Sequence, residues 1–178
     1  MKYIALLRGI NVGGNNKVSM AELKECFELL GFSNVVTYIN SGNILFDAAE
    51  IDLSQLVAKC EQAIKKKFGF KVVCAVIPAV VLQTAFSNAP SWWGLEDDDK
   101  HNAIFVIPPH TPETIIKEVG EAKPEYEKVS ASGPVIFWTA PLKTFGRTRY
   151  SKIVGTAAYQ FVTIRNANTV KKLVALSH

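Results

Sequence analysis

The sequence predicts an α+β protein in which one order of elements, β-α-β-β-α-β, occurs twice. Short apolar runs, typical of buried strands, alternate with amphipathic segments that begin at helix-capping residues. The alternation recurs in the second half of the chain without a visible sequence repeat, so the predicted duplication is one of topology. Of the 178 residues, 48% are apolar and 20% are charged, which is enough to build a core and excludes a disordered chain.

The first half contains two predicted helices with recognisable start signals. Ser19 with Glu22 three residues later forms a predicted capping box, and Asp52 with Gln55 marks the start of the second helix. A glycine follows each helix, as helix C-termini prefer. Four short apolar runs are predicted strands: Tyr3–Leu7, Val35–Ile39, Ile44–Phe46 and Val72–Ile77.

The second half repeats this order. Thr111 followed by Pro112 predicts a helix start, because proline fits the first helical turn. A shorter helix is predicted over 151–158 and a terminal helix over 168–176. The predicted strands are Ala103–Ile107, Glu125–Val129, Val135–Thr139 and Phe161–Ile164.

These elements predict two tandem ferredoxin-like halves with antiparallel-rich sheets, at residues 1–89 and 102–178, joined by a linker loop at 90–101. The second half ends in the C-terminal helix. The three cysteines form no CxxC pair and no zinc-like spacing with the three histidines, so they are predicted to be reduced, inert, buried thiols. Since no apolar run resembles a signal or a membrane span, the protein is predicted to be cytoplasmic.

Charge is segregated along the chain. Eight lysines and arginines follow Glu127, and no Asp or Glu follows it. The preceding stretch from Ser91 to Glu127 holds nine acids against three lysines. The net charge is only +4, so this pattern favours a local anion site over a protein that coats nucleic acid.

Connectivity predicts which loops lie together. A crossover helix makes the first and second strands of each half parallel. The loops that follow these two strands therefore lie at the same end of the sheet. This places Arg8–Gly14 beside the hairpin Asn40–Asn43. By the same argument, Lys143–Lys152 lies beside Arg165–Thr169, after the third and fourth strands of the second half.

Three of these loops carry recognisable motifs: Arg8-Gly-Ile-Asn-Val-Gly-Gly14, Tyr38-Ile-Asn-Ser-Gly-Asn43 and Thr163-Ile-Arg-Asn-Ala-Asn-Thr-Val170. Together they resemble a widespread bacterial family, domain of unknown function 1697, and the resemblance spans nearly the whole chain. It implies tandem ferredoxin-like plaits. It implies no activity, because the family has none assigned. Asn40 stands where the family often shows glutamine.

The loop Arg8–Gly14 has two interpretations. Its glycines allow backbone N–H groups to cradle a phosphate, or they simply let the chain turn. A true P-loop is excluded, because Asn15 and Asn16 stand between the last glycine and Lys17. The hairpin Asn40–Asn43, taken alone, favours a plain turn.

The segment Lys143–Lys152 is the strongest predicted anion site. Arg147 and Arg149 suit bidentate contact with an anion, Thr148 adds a hydroxyl, and the dipole of the next helix points there. The alternative is a solvated basic loop. The absence of following acids favours the site.

Asn166 or Asn168 is a predicted helix N-cap, which leaves Arg165 to reach the neighbouring loop or a ligand. The acidic run Glu96–Asp99 with His101 lacks the alternating ligands and glycine turn of a Ca²⁺ loop, so no metal is predicted. RNA stacking on a sheet face is disfavoured, because the central strands lack paired aromatic residues.

The favoured prediction is a protein that binds a small phosphate- or carboxylate-bearing ligand at these loops, with no cofactor and no membrane contact. Nucleic-acid binding through the same basic surface is one alternative. Catalysis on a phosphorylated metabolite is another, although Tyr38, Tyr150 and His101 are only weak candidates for a base or nucleophile. The predicted ligand-binding residues are Arg8, Asn11, Gly13, Gly14, Ser41, Asn43, Arg147, Thr148, Arg149, Arg165, Asn166 and Asn168.

Overall fold

The computed structural model describes residues 1–95 and 98–178. In this part of the chain the α-helices are Met20–Leu29 (α1), Leu53–Phe68 (α2), Ala79–Ser87 (α3), Pro112–Val119 (α4) and Ala167–Leu176 (α5). The strands are Lys2–Leu7 (β1), Ser33–Tyr38 (β2), Asn43–Asp47 (β3), Cys74–Pro78 (β4), Asp99–Val106 (β5), Lys128–Ser132 (β6), Val135–Pro141 (β7) and Val162–Asn166 (β8).

The strands form two four-stranded sheets in which neighbouring strands are antiparallel. The first sheet has the order β2-β3-β1-β4 and the second the order β6-β7-β5-β8. The chain divides into two compact units, one of Met1–Leu82 with Leu176–His178 and one of Gln83–Ala175. The predicted α+β class and the C-terminal helix are confirmed.

The first unit packs α1 and α2 on one face of its sheet. Alternate residues of β1 and β3 face these helices, as the two-residue period of a strand requires. Phe27 of α1 meets Phe46 of β3 edge-on, with ring centroids 5.2 Å apart. Both rings are fully buried, so this contact lies at the centre of the first core.

The predicted helix starts are confirmed at three positions. Ser19 Oγ accepts a hydrogen bond from the Glu22 N–H at 3.4 Å, and Asp52 Oδ1 accepts from two N–H groups of the first turn of α2. In the second unit Thr111 caps α4, with Pro112 as its first residue. Local sequence therefore sets these boundaries.

The second unit packs α4 and three consecutive 3₁₀ helices against its sheet, at Leu142–Arg147, Tyr150–Gly155 and Ala157–Phe161. The single helix predicted over 151–158 is therefore wrong. Tyr150 and Ile153, three residues apart, are both buried, and a three-residue spacing suits the period of a 3₁₀ helix.

The strand predicted at Glu125–Val129 is displaced. The N–H groups of Tyr126 and Glu127 both donate to Lys123 O, at 2.8 and 2.9 Å, so a turn occupies these positions. The strand β6 begins only at Lys128. The Glu127 carboxylate is buried beside this turn.

Candidate functional site

The glycine pair of the first loop forms a small hairpin. Asn11 N–H donates to Asn16 O and Asn15 N–H to Val12 O, both at 3.1 Å. The two residues between Val12 and Asn15 are Gly13 and Gly14, with φ of 58° and 80°, as a two-residue primed turn requires. The turn accounts for both glycines without a bound phosphate.

The side chain of Asn11 joins this loop to the β2–β3 hairpin. Its Nδ2 donates to Val18 O at 3.0 Å and to Asn40 O at 2.8 Å, and its Oδ1 accepts from the Val18 N–H at 2.8 Å. Leu7 N–H also donates to Gly42 O at 2.8 Å. The two loops therefore meet at one end of the sheet, as connectivity predicts. The Asn11 side-chain amide forms its hydrogen bonds with backbone groups of the same chain.

The hairpin itself is held by buried groups. Asn43 is fully buried, and its Nδ2 donates to Tyr38 O at 2.9 Å and to Ser41 Oγ at 3.0 Å. Gly42 has φ of 78° and lies against Ile10 and Leu7. Arg8 is half-buried, and its backbone N–H donates to Val73 O at 2.9 Å. Most polar groups predicted to orient a ligand here hold the loops in place.

The backbone of the second predicted anion site is bonded to an internal carboxylate. Glu127 is only 3% exposed, and its oxygens accept from the N–H groups of Lys123 at 3.0 Å, Arg149 at 2.7 Å and Tyr150 at 3.1 Å. The start of the Tyr150–Gly155 helix, which was predicted to hold an external anion, thus holds the last acid of the sequence.

Thr148 is also engaged within the chain. It is fully buried, and its hydroxyl donates to Phe145 O at 2.7 Å and accepts from the Ser151 N–H at 3.1 Å. A ligand would have to break both bonds to reach this oxygen. We therefore leave Thr148, together with Asn11, Asn43 and the Gly13–Gly14 turn, out of the site proposed below.

Arg147 and Arg149, in contrast, are exposed. Arg147 lies over the ring of Tyr126, with its guanidinium carbon 5.8 Å from the ring centroid, and Lys123 Nζ donates to Arg147 O at 3.2 Å. Within residues 1–95 and 98–178, neither guanidinium has a carboxylate oxygen within 4.0 Å. Both side chains are therefore open to solvent.

Arg165 does not join them. It is 7% exposed in β8, opposite Ala103, and its Nη1 donates to Thr163 Oγ1 and Ile164 O, both at 2.9 Å. Burial lowers the pKa of Arg165 to about 10, so the side chain is charged at neutral pH.

The backbone of Arg149 is bonded to Glu127, which precedes β6 at the opposite edge of the sheet from β8. Three strand spacings separate β6 from β8, roughly 14 Å. The prediction that Lys143–Lys152 lies beside Arg165–Thr169 is therefore wrong for its arginines, because the segment runs from β5 toward β6. The first part of the segment does lie near β5, since Lys100 Nζ is 4.3 Å from the centroid of the Phe145 ring.

A cavity of about 250 Å³ opens at the start of α5. Asn166 is the N-cap of this helix, since its Oδ1 accepts from the Thr169 N–H at 2.8 Å, and this confirms one of the two predicted caps. Asn166 and Asn168 are both exposed. The residues that line the cavity are Gly94, Leu95, Asp99, Lys100, His101, Asn166, Ala167 and Asn168.

The cavity combines a helix N-terminus with two basic side chains. The first N–H groups of a helix have no intrahelical acceptor, and the helix dipole makes this end positive. Lys100 is exposed, with Nζ 4.3 Å from the centroid of the Phe145 ring, and His101 Nδ1 lies 2.6 Å from Thr139 Oγ1. Asp99 adds one opposing charge to the lining.

Lys100 and His101 are not among the predicted binding residues, and the strand was predicted to start only at Ala103. The strand β5 begins at Asp99, four residues earlier, and its register sets Asn102 opposite Asn166. Both basic side chains thereby come next to the start of α5. The first four residues of β5, Asp99 to Asn102, are polar. A search for apolar runs therefore does not detect this part of the strand.

The other candidate catalytic groups do not line this cavity. Tyr150 is fully buried, and burial together with the charge of Glu127 raises its pKa to about 12. Burial also raises the pKa of all three thiols, that of Cys60 to about 12, which fits the prediction of inert cysteines. Tyr38 is half-buried in the β2–β3 hairpin.

Among the residues that the structure describes, no group of three or more His, Cys, Asp or Glu side chains is placed to hold a metal ion. Glu96 and Asp97 of the predicted acidic loop lie outside the described residues. In the described part of the chain, none of the helices combines the length and the apolar character that a membrane span needs.

Residues 1–137 match the model of a family described as proteins of unknown function, DUF1697. The chain is also similar to the solved structure of a conserved bacterial protein from Streptococcus pneumoniae, with 31% sequence identity and a TM-score of 0.88. That similarity covers 99% of this chain and 98% of the other. No curated protein is significantly similar to the chain.

Proposed function

The chain belongs to the DUF1697 family of proteins of unknown function, and we propose that it binds a small phosphate- or carboxylate-bearing ligand in the cavity at the start of α5. One observation carries the proposal. The cavity gathers Asn166 and Asn168, two of the predicted binding residues, with Lys100 and His101 around a helix N-terminus. Each of these groups donates hydrogen bonds or offers positive charge, which suits an anion.

The size of the cavity limits the ligand. A volume of about 250 Å³ corresponds to roughly eight water molecules. This suits a phosphate or a short carboxylate better than a dinucleotide, which needs a larger cleft. Asp99 repels a highly charged anion, so the proposed ligand carries one or two negative charges.

We also infer that the two units are tandem ferredoxin-like plaits that arose by duplication. The support is that each sheet has its first strand between its third and fourth, with the second at an edge. The buried thiols fit a reducing compartment, and we propose that the protein works in the cytoplasm.

Ligand binding is tested by thermal unfolding with inorganic phosphate and with succinate as probes. A ligand at about one hundred times its Kd adds roughly 2.7 kcal/mol of stability, which shifts the midpoint measurably. We expect Asn168→Ala and Lys100→Ala to abolish most of this shift, because each removes a polar group from the cavity lining.

Lys65→Ala is the matched control for the charge change, since Lys65 is exposed on α2 in the first unit. It should keep the shift of the unaltered protein. The proposal is abandoned when neither probe shifts the midpoint, or when the cavity variants and the Lys65 variant respond alike.

A further inference from the structure

Hydrogen bonds join two basic segments of the second unit. They are 121–128, which leads from α4 into β6, and 143–152, which covers most of the first 3₁₀ helix and the start of the second. We call these two joined segments, 121–128 and 143–152, the basic face. Their cations are Lys123, Lys128, Lys143, Arg147, Arg149 and Lys152. Of their three acids, Glu121 and Glu125 are exposed and Glu127 is buried.

Glu127 is the reason that the two segments lie together. Its carboxylate, which belongs to the first segment, accepts hydrogen bonds from the backbone of Arg149 and Tyr150 in the second. Lys123 Nζ reaches across to Arg147 O at 3.2 Å. The Glu127 carboxylate therefore joins the two segments through backbone N–H groups and forms no hydrogen bond with the Arg147 or Arg149 guanidinium group.

The exposed arginines suit phosphate groups on an open surface. Arg147 and Arg149 present planar donor forks that match phosphate oxygens, and the described residues supply no carboxylate within 4.0 Å of either. The face is not enclosed by a wall of side chains, since both arginines are exposed. An extended polyanion fits such a surface better than a small anion does.

Two aromatic rings of the basic face each lie beneath a cation, and one of these cations, Lys100, belongs to the lining of the cavity at α5. Tyr126 lies beneath Arg147, and Phe145 lies beneath Lys100, with the cations 5.8 and 4.3 Å from the ring centroids. Both rings are half-buried. Surfaces that bind single-stranded nucleic acid combine a positive track for the backbone with aromatic and guanidinium planes on which bases stack.

From these observations we propose that the basic face binds single-stranded nucleic acid through its phosphate backbone. Arg147 and Arg149 do not line the cavity at α5, so their contribution can be measured separately from a small ligand there. Sequence selectivity is not part of the proposal, because backbone contacts position a strand and carry no base information.

The test is fluorescence anisotropy of a labelled polyuridine RNA of about 16 nucleotides, a length that spans one small binding domain. Binding is measured as salt rises from about 50 to 200 mM. For a single strand, the slope of log K against log salt is about −0.7 per neutralised phosphate. We expect Arg147→Ala with Arg149→Ala to reduce the slope by about 1.4, the value for two lost phosphate contacts.

Three controls sharpen this test. Lys65→Ala with Lys66→Ala removes the same charge from α2 in the first unit and should leave the slope unchanged. Arg147→Lys with Arg149→Lys keeps the charge and should keep most of the slope. Asn168→Ala alters only the cavity at α5, so normal RNA binding by this variant separates the two proposals.

Unchanged folding of the arginine variants is checked by tryptophan fluorescence, since all three tryptophans lie in the second unit. An unchanged salt slope in the folded double alanine variant overturns the proposal. Equal displacement of the RNA by polyglutamate also overturns it, because the face would then accept any polyanion. Tighter binding of a duplex of equal length contradicts the single-strand assignment.

Discussion

At the scale of single residues, polar side chains of the kind that bind ligands often form hydrogen bonds with the backbone of the same chain. Asn11 and Glu127 both have the chemistry of binding residues, and both use it on backbone groups distant in sequence. The sequence identifies the donors and acceptors correctly. It does not show which partner a loop will meet, because Asn11 and Asn40 are 29 positions apart in sequence and Glu127 and Arg149 are 22 apart.

Glu127 should be a major source of stability in the second unit. Glu127→Ala removes the acceptor of three backbone N–H groups, one of them buried. We expect a loss of about 3 kcal/mol in the free energy of unfolding. The N–H groups would stay shielded from water but would have no acceptor to replace the hydrogen bonds that they lose. Urea denaturation followed by tryptophan fluorescence measures this.

Glu125→Ala is its matched control, since Glu125 is exposed two residues away in the same turn. Its effect should stay within about 0.5 kcal/mol. Similar losses for the two variants would show that the Glu127 carboxylate does not hold the segments together.

Gly42 is a position where both the backbone conformation and the packing favour glycine. A Cβ there would lie 2.6 Å from Ile10 Cδ1 and 2.8 Å from Leu7 Cβ, and φ is 78°. We expect Gly42→Ala to cost about 3 kcal/mol, because left-handed strain and overpacking add. Gly13→Ala shares the positive φ but meets nothing within 4 Å, so it should cost about 1 kcal/mol. Chemical denaturation followed by circular dichroism distinguishes them, and equal costs would contradict the packing argument.

At the scale of elements, short-range signals were sufficient for helices and insufficient for the irregular parts. The caps at Ser19, Asp52 and Thr111 depend on residues within three positions, and all three are confirmed. The start of β6 and the 3₁₀ helices depend on contacts between distant segments. Ile39, predicted as the last residue of a strand, lies in the turn after β2 with φ of 49°, a conformation that a β-branched residue rarely takes.

The candidate cavity escaped prediction for a similar reason. Asn166 and Asn168 were recognisable from sequence, whereas Lys100 and His101 joined them only through the register of β5 with β8. Conversely, Arg147 and Arg149 were predicted from sequence to bind an anion beside Arg165. In the structure they lie toward β6, at the other edge of the sheet from Arg165. Sequence therefore supplied the chemical types, and strand pairing decided their grouping.

At the scale of the whole molecule, stability should fall steeply at alkaline pH. Burial raises the pKa of Cys60 from 9.0 to about 12, and burial with the Glu127 charge raises that of Tyr150 from 10.0 to about 12. In the unfolded chain these groups lose their protons near pH 9 to 10, while in the folded protein they keep them. Stability is therefore intact below pH 9 and is lost as pH rises toward 12, by up to about 1.4 kcal/mol per pH unit for each group.

Tyr150→Phe isolates one of these contributions within the second unit. Its hydroxyl is buried and has no hydrogen-bond partner among the described residues, so the variant should be about 1 kcal/mol more stable at pH 7. Above pH 10 the advantage should grow, because phenylalanine has no proton to lose in the unfolded chain. Urea midpoints by tryptophan fluorescence, in reducing buffer from pH 7 to 11, measure both effects. Parallel pH curves for the variant and the unaltered protein would mean that the phenol is not held neutral by the fold.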